Sequence, residues 1–155
     1  MPGWNRSSGD RSPKLQCKAP GATATVRGSC EGVGFVSLQS GGTEDLRTLL
    51  EQNGIRVREL APQWEDMDEL AAAIASLDLM VSIDNTTAHL AGALGRTVWV
   101  LLNRTPEWRY LRQGNSVPWY PSAHLFRQPR FGDWAAVMRE VRAALEGWKK
   151  ERASR

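Results

Sequence analysis

Two apolar runs, Leu79-Met80-Val81-Ser82-Ile83 and Thr97-Val98-Trp99-Val100-Leu101-Leu102, flank a small-residue segment closed by Gly95. Each run has strand length and is nearly continuously apolar, as strands buried on both faces are. The segment between them begins Asp84-Asn85-Thr86-Thr87-Ala88-His89, whose residue types favour a helix start. The same alternation extends in both directions. Gly34 to Gln39 reads as a strand closed by Ser40-Gly41-Gly42. Thr43, Glu44 and Asp45 then open a helix through Leu46, Leu49 and Leu50 that stops at Asn53-Gly54. Ile55 to Leu60 reads as a strand, and the acidic stretch Glu65 to Glu69 suits the positive end of a helix reaching about Leu77. A short strand around His124 to Arg127 precedes an amphipathic helix from about Asp133 to Trp148, with Val137, Val141, Ala144 and Leu145 on one face. Alternating strands and helices predict an α/β fold: a parallel sheet with flanking helices and right-handed crossovers, its ligands held at the strand carboxyl ends.

Residues 1–32 differ in character. Up to about Cys30 they are rich in Gly, Pro, Ser, Thr and Arg, with Trp4, Leu15 and Val26 as the bulky apolar residues besides Met1. Such a segment buries too little to offset its ordering entropy, so it reads as disordered or loosely attached. The domain is expected over 33–150, with 151–155 as a tail. Composition matters mainly through its placement. The net charge of +3 comes from residues 1–30, where Arg6, Arg11, Lys14, Lys18 and Arg27 face Asp10 alone; residues 31–155 carry 15 basic against 16 acidic side chains. The expected domain therefore has no basic footprint for a nucleic-acid backbone. Cys17 and Cys30 are separated by twelve intervening residues, without the close pairing of a zinc site, and read as reduced thiols. No apolar run approaches the roughly 20 residues of a membrane span, and Met-Pro-Gly-Trp-Asn-Arg lacks the apolar centre of a secretion signal. A cytoplasmic protein is expected.

Three strand ends offer polar residues: Gln39 to Gly42, Asp84 to Thr87, and Asn103-Arg104. The middle one is the most informative. It sets Asp84, Asn85, Thr86 and Thr87 beside the free amides of a helix start, where an anion fits; plain N-capping by the same residue types is the alternative. His89 lies one turn in, where an imidazole can donate to a phosphate or leaving-group oxygen. His124 has no such context and reads as structural. Ala91 to Gly95 lies inside the helix and follows no strand, so close helix packing explains it better than a nucleotide loop. The connections Thr105 to Leu111 and Pro118 to Pro121 are rich in aromatics. Core plugs are one reading; Arg109 between Trp108 and Tyr110 meeting a phosphate or an aromatic ring is the other. No metal site and no cofactor is expected, and no catalytic residue is assigned.

An ordered set of segments carries a family likeness: Phe35 to Gln39, Ala73 to Asp84, Ala88 to Gly95, Val98 to Leu102, Pro106 to Arg109, Trp119 to Pro121 and Leu125 to Gln128. Over about residues 33 to 148 the chain resembles the C-terminal region of bacterial tetratricopeptide-repeat proteins whose last domain is similar to glycosyltransferase family 9, the heptosyltransferase family. The resemblance implies the Rossmann-like C-terminal half of a GT-B fold, the half that binds a nucleotide sugar without a metal. An Asp-Thr-x-x-x-His pattern facing the diphosphate would fall on Asp84, Asn85 and His89, with Asn85 in place of the threonine. Gln39 would end the first strand, and Ser40 stands where a lysine is common. The resemblance also implies that the acceptor half is missing, so that a partner protein or self-association would have to supply it. The alternative is a non-catalytic interaction module or a degenerate glycosyltransferase fragment.

Overall fold

The computed structural model describes residues 14–18, 33–38, 48, 57–59 and 66–154, and shows a three-layer α/β unit. Six strands form one sheet: β1 (Lys14–Lys18), β2 (Gly34–Ser37), β3 (Val57–Glu59), β4 (Leu79–Ile83), β5 (Val98–Leu102) and β6 (Ala123–Arg127). The order across the sheet is β3-β2-β1-β4-β5-β6, and every neighbouring pair is parallel. Strand order reverses between β1 and β4. In a sheet of this kind, that reversal is where the carboxyl ends part and leave a crevice. The expected fold class is the observed one.

Among the described residues the helices with defined bounds are α1 (Met67–Ala75), α2 (Thr86–Ala93) and α3 (Trp134–Ala153), with a 3-10 turn at Trp108–Tyr110. On one face of the sheet Met80, Val98, Val100 and Leu102 pack with Leu70, Ala73 and Ile74 of α1 and Ala88 and Ala91 of α2. On the other, Leu79, Val81, Trp99, Leu101 and Phe126 meet Val137, Met138, Val141 and Leu145 of α3. With both faces covered, β5 is buried at all five positions, which is why its sequence shows no alternation. Burying each large apolar side chain contributes roughly 1.5–3 kcal/mol before entropy is counted.

The ends of the elements follow local chemistry. Asp66 caps α1 by accepting from the Glu69 amide at 2.8 Å, and Asp68 and Glu69 complement the helix dipole. At the end of α2, Gly95 has φ +66°, and the Gly95 and Arg96 amides return to the Gly92 and Ala91 carbonyls at 3.0 Å. That is the Schellman closure, and its left-handed position favours glycine. Arg96 then donates to the Leu77 carbonyl at 2.5 Å, tying the α1–β4 turn to the α2–β5 turn.

Two expectations are corrected. Lys14–Lys18, placed within the disordered or loosely attached segment, form β1 in the middle of the sheet, with β2 on one side and β4 on the other. A strand paired on both sides draws its stability from its neighbours' backbones, which the composition around it does not register. The tail expected from residue 151 is instead the last turn of α3, where Arg152 pairs with Asp78 at 2.5 Å and lies over the Trp148 ring. The rest of residues 1–32, the expected helix from Thr43 except Thr48, and Gln39 lie outside the described residues.

Candidate functional site

The β4–α2 junction stands at the carboxyl edge of the sheet, beside the reversal: Ser82 of β4 is in register with Lys18, the last residue of β1. Asp84 follows β4, and Asn85 is the N-cap of α2 in extended conformation. The Asn85 side-chain oxygen accepts from the Ala88 amide at 3.0 Å and from the hydroxyl of fully buried Ser82 at 3.1 Å. Asn85 is therefore first of all a cap, and Ser82 is the residue that orients it. Thr86 and Thr87 occupy the first two helical positions, whose amides have no intrahelical acceptor, and no other described residue supplies one.

His89 lies in a cage of polar aromatics. Its Nδ1 is 3.3 Å from the Tyr120 hydroxyl, its Nε2 is 3.3 Å from the Tyr110 hydroxyl, and Asp84 Oδ1 is 3.7 Å from Nε2. Both tyrosine rings have centroids 5.7 Å from that of His89. Proton counting couples the two bonds. A ring protonated on Nε2 donates to the Tyr110 oxygen and accepts from Tyr120 through Nδ1, and the other tautomer reverses both directions. Burial first, then the hydrogen bond and charge of Asp84, push the Tyr110 phenol far above its ordinary value, while Arg109 pulls the other way.

That shift has a testable sign. The native chain holds the Tyr110 proton more tightly than the unfolded chain, so the contribution is intact below pH 10, the ordinary phenol value, and is lost as pH rises above it. One proton is worth at most about 1.4 kcal/mol per pH unit. Urea unfolding between pH 8 and 11.5 should show the stability of the wild type falling faster than that of Tyr110→Phe above pH 10.

Three further residues shape the cage. Tyr120 packs against Gly92, where an added Cβ would lie 2.5 Å from Tyr120 Cγ. The expected small-residue packing of α2 on the sheet holds for Ala88 and Ala91, whereas Gly92 makes room for a ring. Arg127, at the end of β6, donates from Nε to the Gly114 carbonyl at 2.7 Å, from Nη1 to that of Leu111 at 3.1 Å, and from Nη2 to that of Tyr110. Burial draws its pKa below the ordinary guanidinium value.

Arg109 does not reach the junction by any described bond. It pairs with Glu107, lies 6.0 Å from the Trp108 ring centroid, and keeps a buried Nε without an acceptor. The core-plug reading of the aromatic connections holds in part: Tyr110 is core and Tyr120 packs against it, whereas Trp108 and Trp119 are exposed, the latter donating its indole N–H to the Arg109 carbonyl at 3.1 Å. His124 packs its ring on Phe126. Among the described residues, no group of three or more His, Cys, Asp or Glu side chains is arranged to hold a metal, and no helix is long and apolar enough to cross a membrane.

Sequence reasoning placed Asp84, Asn85, Thr86, Thr87 and His89 together but missed Tyr110, Tyr120, Ser82 and Arg127. One signal was available: the chain has two tyrosines, and both end on His89.

No family model matches the chain. It is 34% identical over 118 residues to Protein FlbA of Caulobacter vibrioides, an alignment covering 74% of this chain and 19% of that protein. Its fold is similar to the crystal structure of the glycosyl transferase family 9 from Veillonella parvula DSM 2008. The TM-score is 0.54 and the identity 13%, covering 86% of this chain and 39% of the other. The chain thus spans about a fifth of the curated relative and two fifths of the solved one.

Proposed function

We propose that the chain is the nucleotide-sugar-binding half of a cytoplasmic, metal-independent glycosyltransferase of the family 9 type, with the β4–α2 junction seating the donor's diphosphate. The observation that carries this reading is the pair of open amides at Thr86 and Thr87, at the start of α2 beside the strand-order reversal. A helix N-terminus carries about half a positive charge and offers fixed donors, which stabilise the charge that grows on a departing diphosphate. The Thr86 and Thr87 hydroxyls add donors. Arg109 joins when its exposed pairing with Glu107 is exchanged for a phosphate oxygen, an exchange that is cheap because such surface pairs contribute at most about 1 kcal/mol. Gln39 belongs to the same reading through the resemblance alone. Transfer then requires an acceptor-binding half from a partner, a second copy, or another part of a longer protein.

Titrating the full chain with ADP, UDP, GDP and their sugar conjugates, followed by amide NMR, tests this. One diphosphate class should bind, with shifts centred on residues 84–89, and His89→Ala should weaken it. Thr86→Pro is the sharper variant. Proline suits the first helical position and the extended Asn85 before it, so α2 should survive while one amide donor is lost. Affinity should fall roughly tenfold or more, as expected for losing a charge-assisted hydrogen bond, and Thr86→Val should retain more of it.

A second reading, a non-catalytic interaction module or a degenerate fragment, draws on a different observation. The Asn85 oxygen and both His89 ring nitrogens already have protein partners, while Trp108, Leu111, Trp119 and Phe131 are exposed. A folded chain that binds none of the nucleotides would favour it.

A further inference from the structure

Arg127 grips the loop that carries Tyr110 at three points of its path, the carbonyls of Tyr110, Leu111 and Gly114. A planar fork of N–H groups can serve three differently directed acceptors; a single ammonium on a flexible stem cannot hold them in one geometry. The loop needs such a grip. Leu111 follows Tyr110 with φ +57° and ψ 173°, a backbone region that costs a side-chain-bearing residue of order 1–3 kcal/mol and persists only when its surroundings enforce it. Just before this strained residue the chain turns the Tyr110 ring inward, 2% exposed, with its hydroxyl 3.3 Å from His89.

We propose that Arg127 is a positioning residue of the β4–α2 site: by clamping the 110–114 loop it sets the Tyr110 hydroxyl against His89 Nε2, which lies 3.7 Å from Asp84, and so holds the His89 ring in a single tautomer. Arg127 touches neither His89 nor the α2 start by any described bond and acts through the loop alone. Its consequence for a ligand rests on the diphosphate reading. With His89 held in one tautomer, the ring and the cap stay fixed, and the Thr86 and Thr87 amides meet the ligand without rearrangement.

The ligand-free full chain provides the test. Long-range proton–nitrogen correlation spectra of the imidazoles resolve tautomers, and His124, tilted against the Phe126 ring, is an internal reference. In the wild type His89 should show the pattern of a single tautomer. Arg127→Gln and Tyr110→Phe should each move it toward the averaged pattern of a freely exchanging imidazole. Combining them should add nothing beyond Tyr110→Phe, because Arg127 acts only through Tyr110. Arg127→Lys, which keeps the charge but not the fork, should move it the same way by less, and it serves alone if Arg127→Gln does not fold. A wild-type His89 pattern in a folded Arg127→Gln or Arg127→Lys variant overturns the proposal, as does an additive double variant. These spectra contain no nucleotide, so they stand whether or not a diphosphate binds. If one binds, Arg127→Gln should weaken it by roughly tenfold, the low end for removing a group that orients a ligand-binding side chain; wild-type affinity there would break the link to the ligand and leave the clamp intact.

Discussion

Replacing Asn85 by alanine is expected to destabilise the chain by about 2–4 kcal/mol, which is large for one polar side chain. Two losses combine. Removing an N-cap costs about 0.5–2 kcal/mol, and the hydroxyl of Ser82, fully buried on β4, loses the oxygen it donates to and is left unpaired at about 1–3 kcal/mol. Thermal unfolding should shift by on the order of 10 °C. Ser82→Ala in the same chain should return part of the loss, because it removes the stranded donor; the double-mutant cycle should show coupling of about 1 kcal/mol or more. Additive single effects would mean that Ser82 finds another partner. Asn85→Asp separates the cap from the ligand. Its carboxylate keeps both acceptor roles and suits the helix dipole, so the fold should hold. The same charge, next to Asp84, should repel a diphosphate and abolish nucleotide binding.

The Asn85 geometry also shows why the junction was legible in the sequence. Strand end, cap and first helical turn are contiguous, so residue types alone bring Asp84 to His89 together. The resemblance has threonine where this chain has Asn85, and either residue serves as a cap, so the departure leaves α2 able to start at the same place. β4 was legible to the residue for another local reason. Covered on both faces, it has no polar side to break its apolar run. β5 was nearly so, beginning at Val98 rather than Thr97.

What the sequence hid is non-local. Lys-Leu-Gln-Cys-Lys becomes β1 because β2 and β4 pair with it from both sides, and nothing within the five residues reveals those partners. Tyr110 and Tyr120 reach His89 from 21 and 31 residues away, and Arg127 reaches the Tyr110 carbonyl from 17. From its residues an aromatic loop reads as a core plug or as a setting for Arg109. Only the folded path shows that its two tyrosines turn inward and its two tryptophans outward.

Gly92→Ala should discriminate between two reasons for a glycine inside a helix. If small size served the contact of α2 with the sheet, the partner to relieve would be a strand. The geometry names Tyr120 instead: the new Cβ would lie 2.5, 2.7 and 2.9 Å from its Cγ, Cδ2 and Cδ1, too close for any of them to stay. Ring carbons next to the backbone cannot swing clear as a flexible chain end does, so Tyr120 must leave or α2 must shift. We expect a loss of about 1–3 kcal/mol, obtained even though alanine is the better helix former by about 1 kcal/mol. The site should register the same event. With Tyr120 displaced its hydroxyl leaves His89 Nδ1, and cross-relaxation between the two rings should disappear while the amide pattern of β5 and α3 is kept. Tyr120→Ala is destabilising by itself, but once it is present Gly92→Ala should cost little or become favourable, because the ring it collides with is gone. If Gly92→Ala were as damaging without Tyr120 as with it, the glycine would be serving the sheet after all, and Tyr120 would sit beside it by coincidence rather than being seated by it.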